Sequence, residues 1–418
     1  MVQPNIYPKE EHGISLDHID RHALYIIEKL RAGGHTAYLV GGSVRDLLLG
    51  HTPKDYDIST SAKPEEIKSL FGRQCILIGR RFRLAHIRFG RKIIEVATFR
   101  AGDPESPDLI TRDNIWGSPE EDVLRRDFTI NGLFYDSFDQ TVIDYVGGYP
   151  DIKERCLKMI GEPYVRYRQD PVRMIRLLKF IARFNLEAEH HTRIALIECK
   201  EEIVKSSQAR VLEELLRMLE SGASESFFKL MTEYGVLQML LPQIAHFLEH
   251  PGGNEVFAYL QEIDEMQKER FEKLDRALPL CALVYPLLTA HLKAHFIDCK
   301  RTPHLGDIQT AVADMTREVF EPFFHLPRRI AGKMMAILNG QYRMTPFEQT
   351  KKRVRLPKIP EFNLAIDFLD LRTRIDPELK QIYTTWKEAF ENTEPMPEIS
   401  TRRKRRPRRR RKNDNSPV

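Results

Sequence analysis

Two aspartates one residue apart, Asp55 and Asp57, flank Tyr56 in the stretch KDYDIST. Carboxylates that close repel each other unless a cation stands between them. Hard oxygen ligands suit Mg²⁺, which binds through one or two carboxylates together with substrate phosphates. On a strand, residues two apart point to the same face, so both carboxylates would meet one ion. Glu95 lies in the apolar run IIEVATF and, as a lone buried carboxylate, needs a partner. If its strand lies beside that of Asp57, three carboxylates converge, which is the layout of two-metal phosphoryl or nucleotidyl transfer. Taken alone, a DxD pair is more often a surface turn or a helix cap. The upstream Gly41-Gly42, followed at once by a helix, shifts that balance, because bare N–H groups and a positive helix end suit a phosphate. With the basic Arg45, this cradle and the paired aspartates describe a nucleoside triphosphate site. The motifs GxxxxGKS/T, HExxH and GxSxG are all missing, which excludes a P-loop, a zincin and a serine-hydrolase elbow.

Several elements must position these groups. Helical spacing runs over Leu16–Arg31, and Gly33-Gly34 stops it. Tyr38–Val40 reads as a short buried strand. Ser43 can cap a helix through Leu49, which Gly50 ends. Tyr56–Ser59 is a second strand, and a helix covers Pro64–Phe71. Cys75–Gly79, Phe82–Phe89 and Lys92–Arg100 read as strands, with a hairpin turn at Gly90-Arg91. Ala101–Glu121 reads as a loop, Pro119–Asp136 as a helix, and Thr141–Tyr145 as part of a hairpin. After Gly148 helical periodicity dominates to about residue 390. The expected fold is an α/β head, a mixed β-sheet with helices, followed by a mostly α-helical neck and body and a disordered basic tail. The expected division is a head over 1–148, a neck over 149–222, a body over 223–391, and a linker and tail over 392–418.

Composition narrows the class. The chain has 418 residues, 42% hydrophobic and 30% charged, which suits a water-soluble globular protein of two or three domains. The apolar run near Ala277–Leu288 holds two prolines and reads as too short to span a bilayer. The N-terminus has no basic-then-apolar signal pattern, so a cytoplasmic location is expected. The five cysteines have neither CxxC nor zinc-like spacing. Arg402–Lys412 (RRKRRPRRRRK) holds ten cations in eleven residues, and removing those ten from the net +5 leaves −5 for the rest. Such a tail suits a polyanion held by counterion release.

Five motifs occur in order: GGSVRDLLLG with DYD, then RRDFTINGL at 125–133, DYVGGYPDI at 144–152, QDPVRMIR at 169–176 and RVLEELLRMLESG at 210–222. Together they resemble the nucleotidyltransferase branch that holds bacterial poly(A) polymerases and tRNA CCA-adding enzymes. ILIGRRFRLAHIRFG at 76–90 and the arginine tail resemble the poly(A) polymerase side. One departure is Gln169, where the family's fourth motif usually has Glu. The resemblance implies transfer of AMP from ATP to RNA 3′ ends, and a link to RNA decay and its proteins. Asp55 and Asp57 would hold two Mg²⁺ ions, with Glu95 on the 3′-OH side. Gly41, Gly42, Arg45, Arg126, Asp127 and Asn131 would bind ATP near its ribose and phosphates. Asp170 and Arg173 would read adenine, although Asp170-Pro171 also makes a good helix start. Arg80, Arg81, Arg83 and Arg176 would contact RNA or triphosphate, while His86 reads as an ordinary packed histidine. The alternatives are CCA addition and an RNA-binding protein with an inactive head.

Overall fold

The computed structural model describes residues 3–79, 84–101, 115–270, 272–347, 356–357, 359 and 361–392. Arg80, Arg81, Phe82, Arg83 and the arginine tail lie outside the described residues. The head is built on eight strands: β1 (Asn5–Tyr7), β2 (Ala37–Val40), β3 (Asp57–Thr60), β4 (Cys75–Ile78), β5 (Leu84–Phe89), β6 (Lys92–Thr98), β9 (Leu133–Asp136) and β10 (Thr141–Asp144). Two further strands, β7 (Arg100–Ala101) and β8 (Ile115–Trp116), pair as a separate ladder inside what reads in sequence as a loop. The main order is β1-β10-β9-β2-β3-β6-β5-β4. β3 and β6 run parallel, and the other neighbours run antiparallel.

The half-sheet β3-β6-β5-β4 follows the period of two. Ile58, Cys75, Ala85, Ile87, Ile94 and Val96 are buried on one face, under the helices Arg21–Ala32 and Pro64–Phe71. Their intervening neighbours in β4, β5 and β6 are partly or fully exposed, as expected for a sheet covered on one side, while Ser59 of β3 is buried beside Arg126.

Several expected boundaries move for local physical reasons. The run 16–31 breaks after a 3₁₀ turn at Leu16–His18, because the Asp20 carboxylate accepts from the His22 N–H and caps a new helix, Arg21–Ala32. The helix Gly42–Leu48 starts from Gly41 rather than a Ser43 cap, and the Ser43 hydroxyl donates to the Val40 carbonyl. β3 begins at Asp57, which leaves Asp55 before the strand. The helix expected over 119–136 ends at Leu124. A 3₁₀ turn at Thr129–Asn131 follows, and then the central strand β9, whose four residues are all buried and so show no alternation.

Beyond residue 148 the chain is mostly helical, and one contiguous cluster of buried apolar residues runs from Ile14 to Leu371. The apolar run expected to be short forms the helix Ala277–Leu292, extended by a π turn over Lys293–Ile297. By length and composition 277–297 could cross a membrane. Here its first twelve residues are all buried against Asn254–Glu269, Leu305–Phe320 and Arg328–Met344, as in a core helix.

Where Arg328–Met344 crosses Phe362–Ile375, a Cβ on Gly340 would lie 2.7 Å from that of Ala365, whereas a Cβ on Gly332, in the same helix, meets nothing within 4 Å. Gly340→Ala should therefore cost about 1–3 kcal/mol by overpacking. Gly332→Ala should stabilise by about 0.5–1 kcal/mol. Urea denaturation of the two variants checks the opposite signs.

Candidate active site

Gly41 ends β2 with φ 65°, a conformation that favours glycine, and a Cβ there would sit 3.0 Å from Nη1 of Arg126. The turn it makes presents the first N–H groups of Gly42–Leu48 to a cleft. Arg45, one turn into that helix, points inward and is 5% exposed. Its Nε and Nη2 donate to Asp46 Oδ1 at 2.9 and 2.6 Å, and its Nη1 donates to Asn131 Oδ1 at 2.7 Å. The guanidinium also lies 4.8 and 4.6 Å from the rings of Phe180 and Phe184. Burial lowers its pKa, and the Asp46 carboxylate opposes that shift.

Sheet register brings the carboxylates together. Asp57 pairs with Val40 on one side and with Glu95 on the other, and Glu95 pairs with His86. Glu95 is not the buried lone carboxylate expected. It is half exposed on the open face, with Oε1 3.2 Å from His86 Nε2. His86 is thus the partner of Glu95 rather than an ordinary packed histidine. Asp57 opens into the cleft, yet enclosure by the surrounding protein pushes its pKa up to about 6. Glu95 and Asp55 add to the rise, and Arg126 opposes it. Among the described residues no group of three or more His, Cys, Asp or Glu is arranged to hold a metal. The donor set at Asp57 still fits a hard divalent cation, because its like-charged neighbours raise the cost of its ionised form and a cation would relieve it.

Arg126 does not pair with the adjacent Asp127. It donates to Asp122 Oδ2 at 2.9 Å, Asn131 O at 3.3 Å and Ser59 Oγ at 3.4 Å. Asp127 is buried. Its Oδ1 accepts from Phe128 N and Asn131 Nδ2, and its Oδ2 faces Arg176 Nη2 at 2.9 Å. Burial alone would raise its pKa, but Arg176, Asn131 and the Phe128 N–H hold it below the usual carboxylate value.

Asp170 does not cap the helix that follows it. It closes the preceding helix, Pro163–Gln169, while Pro171 starts Val172–Phe184. Its Oδ2 accepts from Arg210 at 2.8 Å, and its shielded Oδ1 accepts no hydrogen bond among the described residues. Arg173 is buried and donates to the backbone carbonyls of Arg166 at 2.8 Å and Arg125 at 3.5 Å. Gln169 accepts from Arg166 Nη1, whose pKa falls to about 9 through burial and the neighbouring Arg173. On the helix Val172–Phe184, Arg176, Lys179 and Arg183 pair with Asp127, Glu214 and Asp46.

A cavity of about 1070 Å³ joins these groups. Gly41, Gly42, Asp55 and Asp57 line it from the head, Asp170, Arg173 and Arg176 from the start of the helix Val172–Phe184, and Lys273 and Arg276 from the segment before the helix Ala277–Leu292. Twelve cations and seven carboxylates are among its described lining residues, an excess that suits a polyphosphate. Sequence reasoning missed Asp122, Arg166, Glu213, Glu220 and Arg276. Glu213 and Glu220 lie inside the motif at 210–222, whereas Asp122, Arg166 and Arg276 carry no signal beyond a charge on or beside a helix, which any solvated helix also shows. Arg276 bridges Glu213 and Glu220, tying the helix Gln208–Leu219 and the residue after it to the start of Ala277–Leu292.

The family model described as "Poly A polymerase head domain" matches residues 37–158, "Probable RNA and SrmB- binding site of polymerase A" matches 185–248, and "Polymerase A arginine-rich C-terminus" matches 300–416. The chain is 36% identical over 400 residues to poly(A) polymerase I of Salmonella typhi, covering 92% of this chain and 85% of that one. It is 36% identical over 200 residues to the CCA-adding enzyme of Lactobacillus helveticus, covering 47% and 49%. It superposes on a CCA-adding enzyme apo structure with a TM-score of 0.64 at 19% identity, covering 94% of this chain and 88% of that one, and on one complexed with ATP with a TM-score of 0.61, covering 93% and 86%. These superpositions show a shared fold.

The Asp127 pair sets a stability test. Asp127→Asn leaves the partly exposed Arg176 facing a neutral amide and should cost about 1–3 kcal/mol at pH 7. The folded pKa of Asp127 lies below its unfolded value of about 3.9, so its contribution is present above that pH and is lost as pH falls through the folded value. The gap between wild type and variant, read by urea denaturation, should narrow below about pH 4.

Proposed function

We propose, for a chain that belongs to the bacterial poly(A) polymerase family, template-independent transfer of AMP from ATP to RNA 3′ ends with release of pyrophosphate. The observation that carries this reading is that one cation-rich cavity holds the Gly41-Gly42 turn, Asp57, Asp170 and Arg173. Similarity to the named poly(A) polymerase spans nearly the whole chain, while that to the CCA-adding enzyme spans about half.

In this reading the N–H groups after Gly41 and the guanidinium of Arg126 bind the triphosphate. Asp127 and Asn131 hold Arg176 and Arg45 in place around it. The Asp170 carboxylate accepts from the exocyclic amine of adenine, and Arg173 exchanges its long bond to the Arg125 carbonyl for a ring nitrogen. Asp55 and Asp57 would hold two Mg²⁺ ions, whose chemistry is to acidify the 3′-OH and to neutralise the charge of the triphosphate and leaving group. The acceptor's 3′-oxygen displaces pyrophosphate in line at the α-phosphorus. Residues 1–148 carry the chemistry, 149–222 read the base, and 223–391 and the arginine tail hold RNA. The setting is the cytoplasm, and a single-stranded 3′ extension gives decay enzymes a foothold.

Primer extension tests this. A labelled oligo(A) with Mg²⁺ and one nucleoside triphosphate at a time should give a long ladder with ATP alone. Growth with CTP, or arrest after a few additions on a tRNA end, would instead indicate CCA addition. Asp57→Ala should lower kcat by about 10³-fold or more, equivalent to roughly 4 kcal/mol. Normal activity in that variant would refute the assignment.

A further inference from the structure

Glu95, His86 and Ile76, absent from the described lining residues of the nucleotide cavity, lie on the open face of β6, β5 and β4. Across it runs one register row, Asp57–Glu95–His86–Ile76, about 14 Å long at ordinary strand spacing. Ile76, Ile78 and Ile93 are 41%, 45% and 50% exposed on this face, and Arg88 is exposed beside them. Large apolar side chains grouped beside a reactive centre mark a binding surface more often than chance exposure does.

Sheet order says what fits there. β3 lies between β2, which ends at the Gly41 turn, and β6, which carries Glu95. Asp57 lines the nucleotide cavity, whereas Glu95 is absent from the described lining residues. In-line displacement puts the attacking oxygen opposite the leaving pyrophosphate. With the triphosphate on the Gly41 side of Asp57, the attacking oxygen must arrive from the Glu95 side. We propose that the face of β6–β5–β4 seats the 3′-terminal nucleotide of the RNA acceptor: His86 positions Glu95 beside the 3′-oxygen, Ile76 and Ile78 form an apolar rest for the terminal base, and Arg88 meets a phosphate. This rests on the adenylyl-transfer reading for its chemistry. His86 acts through Glu95 and is a positioning residue.

The test uses the full-length protein and 5′-fluorescent oligo(A). Ile76→Ser/Ile78→Ser should raise the KM for oligo(A) about tenfold, as expected for one lost base contact, while the KM for ATP does not follow. An oligo(A) whose terminal nucleotide lacks its base should be nearly insensitive to the double substitution. His86→Ala should lower kcat/KM for the acceptor severalfold, and His86→Gln, which keeps a donor to Glu95, should recover most of the loss. An unchanged KM for oligo(A) in the double variant, an equal rise in both KM values, or equal sensitivity of the abasic acceptor would overturn the base rest. An unaltered His86→Ala enzyme would overturn the positioning role. If the wild type extends nothing with ATP, the function reading fails separately. Fluorescence anisotropy then still decides the surface: weaker oligo(A) binding by the double variant supports it, and equal binding, the result expected if another protein covers this face, overturns it.

Discussion

The buried carboxylate of Asp127 is the constraint on which the remaining geometry depends. It is buried between the sheet and the helix Val172–Phe184, where an unpaired charge would be costly. Its Oδ1 takes the Phe128 N–H and the Asn131 amide, which fixes the 3₁₀ turn that launches β9 into the middle of the sheet. Asn131 in turn fixes Arg45, and Asp127 Oδ2 fixes Arg176 on the neck helix. The Asp127 carbonyl also accepts from Ile160 N, pinning the start of the neck to the same turn. One residue therefore fixes the turn before a central strand and ties together two walls of the cavity.

The cavity follows from that arrangement. Its cations are mostly held from behind: Arg45 by Asp46, Arg176 by Asp127, Lys179 by Glu214, Arg276 by Glu213 and Glu220. Such pairing preorganises positive charge, so little reorganisation is needed when a polyphosphate enters. Around Arg166 the balance differs. Gln169 supplies an amide where the family usually has a carboxylate, and the pKa of Arg166 drops as expected for a buried cation beside Arg173. This corner of the site is more positive than a glutamate there would leave it.

Much of the head was legible in the sequence because its signals are local. The period of two placed β4, β5 and β6, Gly41-Gly42 marked the turn, and the apolar flanks of Glu95 put it on a strand that proved to lie beside Asp57. Errors came where a tertiary contact overrode local pattern. β9 is buried on both faces and has no alternation, so it was merged with the preceding helix. Asp55 fell outside the strand, and Glu95 was expected to be buried because flanking isoleucine and valine say nothing about the far side of a single-faced sheet. Asp170 before proline looked like a cap, but Arg210 holds its carboxylate instead. The ion pairs across the cavity join residues tens of positions apart, and one sequence does not encode such partnerships visibly.

The parallel pairing of β3 with β6 also bears on how the protein comes into being. Antiparallel neighbours such as β5 and β6 can zip from a tight turn at Gly90, but β3 reaches β6 only after the intervening helix and two strands are in place. Closing that long loop costs entropy before any contact returns it. Asp57 and Glu95, 38 positions apart, are therefore brought side by side only once β6 is available to pair with β3. A growing chain that has emerged only as far as β3 carries its aspartates without the neighbouring carboxylate and is catalytically silent.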